Sequence, residues 1–454
     1  MRSVWTEHRM VQSWLDFESA VAWAEGELGI ISKESAAAIT QSCNVEVVTT
    51  QQIAQWRERT GHVIVSMVRA FGEVCPKYGE AFHLGPTTQD VLDTGLTLQI
   101  RDSLRLLIPS IVSLVDVVCD LASQYRDVPQ IGRTEGQHAA PITFGYKLAV
   151  LADELGAHLD RLIECSRRLL VLTMFGATGV QSSYVSLAGP SKVQRLIELV
   201  AARLTLEVPP VCPHHRTDRF AELGSVLSMM LATLGEAGLE IRDLQRTEVA
   251  EVSEPYTPEQ HSSSTMPQKR NPEVSEWWEG LAKVGAGHAL ALAAIRQQHE
   301  RDITRLAPEL VCISNLFLYC SATVDAATMI FKGLEVNVEA MKRNLESAQG
   351  MAMAESVMLA LFSKSGKKLW AHELCHKLAM ASRSNGTSFR SELESNREIA
   401  EYLNAAEIDA ALASSLYTGT AVSQVEQVVA RWGKKKRAAF AAADELHLGH
   451  RLDS

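Results

Sequence analysis

The chain lacks the features that mark several large classes of protein. Residues 1–30 do not show the basic, apolar and small-residue order of a secretory signal peptide. Lys and Arg number 44 against 54 Asp and Glu, a net charge of −10, so the basic surplus that nucleic acid or an anionic membrane requires is missing. The basic run at residues 434–437 is short, and we interpret it as a solvated helix face. We therefore expect a cytoplasmic protein that binds neither nucleic acid nor membrane.

The sequence also gives little indication of a membrane span, a disulfide or a metal site. The most apolar span, residues 104–122, carries Arg105 and Asp116 and falls short of a clean membrane helix. The eight cysteines include no C-x-x-C pair and mostly lie in apolar helical runs, which is typical of reduced core residues. The Cys and His residues at 212–215 form a small group without a second cluster, so we expect no metal and no other cofactor.

Helical periodicity dominates a composition that is ordinary for a globular protein, 46% hydrophobic and 22% charged. Strand-like alternation is almost absent, which predicts an all-α fold. We expect three helical domains, at residues 1–95, 96–346 and 347–454. The central domain is predicted to be a bundle of long helices that completes itself by oligomerisation, because its apolar faces are wide. These helices are predicted at residues 98–125, 142–172, 220–250, 273–299 and 308–345.

The most informative stretch is the polar run from Gln260 to Pro272, Q-H-S-S-S-T-M-P-Q-K-R-N-P. Ser and Thr compete with the backbone for hydrogen bonds, and Pro267 and Pro272 interrupt a helical ladder, so this run is predicted to be a loop. Serine hydroxyls beside Lys269 and Asn271, on a loop held between long helices, are typical of a catalytic site.

This run resembles the signature loop G-S-S-x-M-P-x-K-x-N of the fumarase/aspartase superfamily, and the resemblance covers nearly the whole chain. It implies a homotetramer whose central helices form one shared core, with each active site built from three subunits. It also implies an anti-elimination across a Cα–Cβ bond beside a carboxylate, or its reverse, on a small dicarboxylate. Ser262 replaces the family's glycine and narrows the allowed backbone angles, so the closed loop is expected to differ in shape.

The resemblance assigns roles within the loop. Ser263 matches the catalytic serine that removes the Cβ proton. A free serine hydroxyl is a very weak acid, so loop amides and Lys269 must stabilise its alkoxide in a closed, dry site. Lys269 and Asn271 match positions that hold the substrate carboxylate and the aci-carboxylate intermediate, and Ser264 and Met266 are assigned to substrate binding.

A second stretch, residues 132–138, resembles the G-R-T-H-G-Q motif of the adenylosuccinate lyase branch. Thr134 and Gln137 match carboxylate-binding positions, whereas Glu135 replaces a histidine that serves as the general acid or its orienter. The cycloisomerases that form 3-carboxymuconolactone also lack this histidine, so activity is still expected. Glu276 matches the carboxylate that pairs with the missing histidine. We therefore predict that Glu135 and Glu276 share a proton and supply the acid.

Two alternatives to the proton shared by Glu135 and Glu276 remain open. In the first, Glu135 binds an ammonium group of the substrate while His62 donates the proton. In the second, Glu135 forms a salt bridge with Arg133 or with a neighbouring subunit. His62 and His83 both match histidines of the adenylosuccinate branch.

A third stretch, T-T-Q-D, matches the family's T-S-x-D motif, and its Thr87, Thr88 and Gln89 are assigned to binding a substrate carboxylate. Thr88 is also a candidate cap for the helix that follows. A fourth stretch, residues 299–305, resembles H-E-R-D-I-S. Its Arg301 matches an arginine that reaches a carboxylate, the alternative being an ion pair with Glu300 or Asp302.

Adenylosuccinate itself fits this chain poorly. Lyases that act on it usually carry an Arg-Tyr pair near the N-terminus, which residues 1–5 lack, and phosphate donors where residues 305–310 are mostly apolar. We therefore expect a carbon–nitrogen lyase that releases fumarate from a smaller N-substituted succinate. The alternatives are a 3-carboxy-cis,cis-muconate cycloisomerase and a non-catalytic structural homologue, against which Ser263, Lys269 and Asn271 argue.

Overall fold

The computed structural model of the chain describes residues 1–295 and 300–445. Helices account for most of these residues, and the few strands form two small antiparallel pairs, so the all-α prediction is confirmed. The N-terminal helices are α1 (Glu7–Glu27), α2 (Lys33–Ser42), α3 (Thr50–Thr60) and α4 (Val63–Val74). Short 3₁₀ turns lie at Arg2–Trp5, Gly79–Ala81, Pro213–His215, Met351–Met353 and Ser414–Leu416.

The central elements, in chain order, are α5 (Thr88–Gln124), β1 (Pro129–Thr134), β2 (Gln137–Thr143), α6 (Phe144–Leu169), α7 (Ser182–Ala188), α8 (Val193–Leu204), α9 (Asp218–Gln245), β3 (Val252–Ser253), α10 (Glu273–Ala293), α11 (Leu306–Gly333) and β4 (Glu335–Val336). The remaining helices are α12 (Val338–Ser347), α13 (Ala354–Ser365), α14 (Lys368–Asn385), α15 (Phe389–Ser395), α16 (Arg397–Ala400), α17 (Ala405–Leu412) and α18 (Ala421–Glu445).

The predicted long helices are present, but some of their ends differ from the prediction. Thr87, not Thr88, is the N-cap of α5, and its backbone N–H donates to the Asp90 carboxylate over 3.0 Å. The helix predicted at 308–345 is divided, because α11 ends at Gly333 and α12 starts anew. Asn337 caps α12 by accepting from the N–H of Ala340 over 3.0 Å, a local signal that apolar periodicity does not register.

The β1–β2 hairpin was not predicted from periodicity. Thr134 pairs with Gln137, so the connecting loop has two residues, Glu135 and Gly136. Both have positive φ, 53° and 71°, as a tight two-residue hairpin loop requires. The second candidate stretch is therefore presented at the tip of a hairpin.

Buried apolar side chains form two clusters. The larger joins the N-terminal helices to the long central ones and continues across the expected boundary at residue 95, which falls inside α5. It also includes Val425 and Trp432, because α18 returns to pack on α5 and α6. The smaller cluster lies between Val357 and Ala411. The division into three domains stays a prediction. All eight cysteines are buried, and none forms a disulfide.

The interpretation of residues 434–437 as a solvated face is wrong for two of the four. Lys435 Nζ lies 2.5 Å from Asp160 Oδ2, and Lys436 pairs with Asp116. Trp432 Nε1 also donates to Asp116, over 2.8 Å. These contacts dock α18 on the bundle, and they were not predictable because the aspartates lie on helices far away in the sequence.

Two described helices, α5 and α11, are long and apolar enough to cross a membrane by length and composition alone. About half of the most apolar window in each is buried within the protein, 50% and 44% respectively, as in the core helices of soluble proteins. The apolar span at residues 104–122 belongs to α5, which packs against α1, α6, α11 and α18. Packing therefore accounts for the apolar character of α5.

Close packing of α9 on α10 positions the polar loop that precedes α10. A Cβ atom at Gly238 would lie 1.5 Å from Nε1 of Trp278, so only glycine lets this side chain lie against α9. Trp278 is 1% exposed and belongs to the larger apolar cluster. The start of α10, where the loop ends, is thus held firmly on the bundle.

Candidate active site

The polar loop between β3 and α10 is closed at its base by Ser262. The Ser262 hydroxyl donates to the carbonyl of Lys269 over 2.6 Å and accepts from the N–H of Asn271 over 2.9 Å. The side-chain amide of Asn271 donates back to the Ser262 carbonyl over 2.6 Å. Ser262 does not have positive φ. A serine is therefore accommodated where the family has glycine, and its hydroxyl joins the two ends of the loop.

Ser263 lies directly after this closure, with backbone donors pointing at its hydroxyl. Ser263 Oγ accepts from the N–H of Met266 over 3.0 Å and from the N–H of Thr265 over 3.4 Å. Amide dipoles aimed at an oxygen stabilise negative charge that develops there. The loop thus supplies part of the stabilisation that a serine alkoxide needs, while Ser264 is exposed beside it.

The end of α9 orients the loop through Gln245. Gln245 Nε2 donates to the carbonyl of Arg270 over 3.0 Å, and its Oε1 accepts from the N–H of Glu254 over 2.9 Å. Arg270 also pairs with Glu335 at 2.8 Å, and this hydrogen bond lowers the pKa of that carboxyl. Buried Glu254 accepts from both the N–H and the hydroxyl of Ser275. The loop is held from both sides by side chains of the rigid bundle.

A cleft of about 1270 Å³ opens beside the loop. Among the described residues Lys269 has no ion-pair partner, whereas Arg242 and Arg246, which also line the cleft, pair with Glu279 and Asp243. Lys269 is therefore a cation available to a bound carboxylate. The predicted site residues that line this cleft are Met266, Lys269, Asn271 and Glu276.

A second group of predicted residues lies at the start of α5. His62 is the N-cap of α4, and its Nδ1 accepts from the N–H of Val65 over 3.2 Å. This contact assigns the proton of a neutral imidazole to Nε2, which lies 3.4 Å from Oγ1 of Thr88. His62 is exposed, and its Nε2 lies beside the turn that is predicted to bind a carboxylate.

Asp90 holds this turn from the inside. Its carboxylate accepts from the N–H groups of Thr87 at 3.0 Å, Phe175 at 2.9 Å and Gly176 at 3.0 Å. His214 Nε2 lies 3.1 Å from Asp90 Oδ1, and both side chains are fully buried. Sequence reasoning missed this arrangement, because it treated residue 214 only as a weak metal-ligand candidate and no spacing links it to α5.

The Gln89 side chain is turned into the protein. It is 2% exposed and donates to Asp93 over 2.5 Å, while the assignment of Gln89 to substrate binding stays a prediction. Arg305 also donates to Asp93, over 2.7 and 2.8 Å, and to Glu309 over 2.7 and 2.9 Å. Burial raises the pKa of Glu309 to about 7 despite the opposing charge of Arg305. The charge of Arg305 is thus paired with carboxylates inside the protein.

Arg301 is attached to the same region. Its Nη2 donates to the carbonyl of Ala177 over 3.1 Å, in the segment that Asp90 also holds. A contact of Arg301 with a substrate carboxylate stays a prediction, and so does the alternative ion pair with Glu300 or Asp302. The first residue of the fourth stretch, His299, lies outside the described residues.

The third group, Thr134, Glu135 and Gln137, is exposed at the hairpin tip. Arg133 donates to the buried carboxylate of Glu251 over 2.7 and 3.1 Å, so the alternative in which Glu135 pairs with Arg133 of its own chain is wrong. A glutamate with φ of 53° costs about 1 kcal/mol or more in backbone strain, and such strain is concentrated at functional positions.

These three groups are not joined within one chain. Among the described residues, no hydrogen bond or ion pair links the Thr88 turn, the hairpin tip and the Ser263 loop. Thr88 begins α5 and the hairpin follows its end, and a helix of 37 residues is about 55 Å long. The proposed Glu135–Glu276 pair therefore stays a prediction for an assembly of several chains.

Comparisons with known proteins place the chain among lyases. A family model described as Lyase matches residues 1–286, and one described as Adenylosuccinate lyase C-terminus matches residues 350–428. The N-acetyl-S-(2-succino)cysteine lyase of Enterococcus italicus is 35% identical and covers 96% of this chain and 94% of its own. The adenylosuccinate lyase of Pyrococcus abyssi is 36% identical over 94% of both chains. The crystal structure of 3-carboxy-cis,cis-muconate lactonizing enzyme from Pseudomonas putida has a TM-score of 0.87 at 33% identity, covering 96% and 97% of the two chains.

Proposed function

The chain belongs to the fumarase/aspartase superfamily of lyases, and we propose that it releases fumarate from a succinate that carries a small nitrogen group. A base removes the proton from the Cβ carbon, and the electron pair of that C–H bond forms the C=C bond. The C–N bond breaks, and an acid protonates the departing nitrogen. The products are fumarate and an amine, and no redox partner is required.

The observation that carries this proposal is the pair of backbone amides that donate to Ser263 Oγ. They favour the alkoxide over the neutral hydroxyl, which is what a serine base needs. Lys269 and Asn271 lie on the same loop and line the cleft, which supports a role in binding the carboxylate that gains charge as the proton leaves. For the acid, the geometry offers the Nε2–H of His62 and the strained Glu135.

A substrate without a phosphate is favoured by the internal use of Arg305. Its guanidinium donates to Asp93 and Glu309, so it is not free to bind a dianion. The rest of residues 305–310 offers no hydroxyl or cation. A phosphate would lose its charge-assisted hydrogen bonds there, which supports a substrate smaller than adenylosuccinate.

Two other substrates have specific support. A sulfur leaving group is favoured by the similarity to N-acetyl-S-(2-succino)cysteine lyase, because a thioether at the same carbon undergoes the same elimination. A cycloisomerase is favoured by the similarity to the lactonizing enzyme, whose substrate also has several carboxylates and no phosphate.

We also propose a cytoplasmic homotetramer in which three chains contribute to each site. Support comes from the length of α5, which separates Thr88 from the hairpin tip, and from α10, which exposes large apolar side chains. Trp277 and Val284, seven residues apart on one side of the helix, are 75% and 50% exposed. A second copy of this helix would cover that face, as expected for a bundle completed by assembly.

The proposal is tested by measuring fumarate formation near 240 nm with a panel of substrates. The panel contains N-substituted succinates, N-acetyl-S-(2-succino)cysteine and 3-carboxy-cis,cis-muconate. The expected result is fastest turnover of a small N-substituted succinate. Fastest turnover of the thioether would show that the leaving group is a thiol and not an amine. Lactone formation without fumarate would favour the cycloisomerase. No turnover of any of them would overturn the proposal.

A further inference from the structure

A buried carboxylate contacts the loop that leads into the Thr87–Thr88 turn. Glu18, on α1, is 1% exposed, and its Oε1 lies 2.6 Å from Nδ1 of His83. Its second oxygen, Oε2, has no hydrogen-bond partner among the described residues. A buried carboxylate is costly unless an opposite charge pairs with it, so Glu18 favours the protonated form of the His83 ring.

His83 is held in an unusual backbone conformation that directs its ring. Its φ is 59°, in the left-handed region, and it lies four positions before Thr87 on the loop that leads into the turn. Because Nδ1 is directed at buried Glu18, Nε2 is the ring nitrogen left to donate to a ligand. The side chain is 19% exposed, so it remains accessible from one side.

The charges around the pair favour the same protonation state. Burial acts to lower the pKa of His83, but the charge and hydrogen bond of Glu18, together with the charge of Asp90, outweigh it and raise the pKa. The other titratable groups near the pair, from the elements packed around it, are Glu25 on α1, Cys43 after α2 and Tyr184 on α7.

We propose that Glu18 is a positioning residue that holds His83 as an oriented cation for the substrate carboxylate bound at Thr87 and Thr88. The hydroxyls and amides of that turn carry no formal charge, and a charge-assisted hydrogen bond from Nε2 would add to them. This inference rests on the proposed function, since it assumes a dicarboxylate ligand. In this inference α1, which lies outside the four stretches described above, contributes to substrate affinity through Glu18.

The test is calorimetric binding of fumarate, which does not depend on turnover, at pH 6 and pH 8. In Glu18→Gln the pKa of His83 falls, because the charge and hydrogen bond of Glu18 are lost while burial still acts. We expect roughly tenfold weaker binding than in the unmodified protein at pH 8 and a smaller loss at pH 6, where a larger share of the His83 rings in the variant is protonated. A merely structural defect would weaken binding equally at both values.

The chain offers a matched control in the exposed pair His8–Glu46, whose atoms are 2.7 Å apart with side chains 57% and 76% exposed. Glu46→Gln should leave fumarate affinity unchanged. The double variant Glu18→Gln with His83→Gln should lose no more than His83→Gln alone, because Glu18 acts through His83. If Glu18→Gln does not fold, Glu18→Asp, which withdraws the carboxylate from the ring, must show the same pH-dependent loss to a smaller degree.

The outcomes separate this inference from the proposed function. Normal fumarate binding in the unmodified protein, with a loss in Glu18→Gln that is absent or the same at both pH values, would overturn the inference alone. A failure of the unmodified protein to bind fumarate at either pH would overturn the proposed function and the inference with it.

Discussion

Ser263 Oγ accepts a hydrogen bond of 3.0 Å from the backbone N–H of Met266, so the loop itself prepares this oxygen for negative charge. We predict that Ser263→Ala lowers kcat by about 10²- to 10⁴-fold with little change in KM, because the lost interaction is made only in the transition state. Steady-state kinetics on the best substrate measure this. Ser363→Ala, an exposed serine on α13 far along the chain, is the control. A Ser263→Ala protein with most of its activity would exclude the serine as base.

Among the described residues no hydrogen bond or ion pair links the Thr88 turn to the Ser263 loop, which predicts complementation between defective chains. Thr88→Val and Ser263→Ala proteins should each be impaired, but mixed assemblies should regain activity, since some sites would combine an intact turn with an intact loop from different chains. Mixing Ser263→Ala with Asn271→Ala is the matched control, and it should regain nothing because both changes lie on one loop. Light scattering should give a tetramer of the 49.8 kDa chain. An active monomer on dilution would contradict the shared site.

The internal pairing of Arg305 predicts poor use of adenylosuccinate. Two or more charge-assisted hydrogen bonds to phosphate would be missing, so kcat/KM should be roughly a thousandfold below that of the preferred substrate. Turnover and thermal stabilisation by adenylosuccinate both measure this. Efficient turnover at micromolar concentration would show that phosphate donors come from elsewhere in the assembly.

The identity of the general acid is predicted to appear in the pH dependence of kcat. An acid must be protonated to act, so activity should fall as the pH rises through its pKa. If Glu135 supplies the proton, Glu135→Gln removes this alkaline decline, and a substrate with a good leaving group regains much of its rate. If the decline changes only in His62→Asn, the Nε2–H of His62 is the acid instead. An unchanged profile in Glu135→Gln would leave the shared proton with Glu276 without support.

Glu25 is predicted to make the fold less stable at high pH. It is 1% exposed, and burial, with the nearby charge of Glu18, raises its pKa to about 8. Its unfolded value is about 4.3, so the folded state binds the proton more tightly, and stability falls as the pH rises from about 4.3 to about 8, by at most about 1.4 kcal/mol per pH unit. Glu25→Gln should reduce the drop in Tm between pH 5 and pH 9. An equal drop in both proteins would show that folding does not raise the pKa of Glu25.

Much of the fold and part of the site could be predicted from local sequence. Apolar residues at three- and four-residue steps predict the long helices. That spacing places the apolar side chains on one face of a helix, whichever element packs against it. The polar loop follows from its prolines and hydroxyls, which oppose helix formation within a few residues. The roles of Ser263, Lys269 and Asn271 come from the resemblance of this loop to the family's signature loop, and they stay predictions.

Side-chain direction and long-range pairing were decided only by the tertiary structure. Gln89 sits between two site threonines and Asp90 in the sequence, yet packing turns it inward to Asp93. His83 meets Glu18 across 65 positions, and Arg305 meets Asp93 across 212. Burial in a folded core sets which charged groups must find partners, and no spacing along the chain encodes which partner is near. The sequence by itself therefore indicated which residues could do the chemistry, and packing decided which side chains are turned to partners inside the protein.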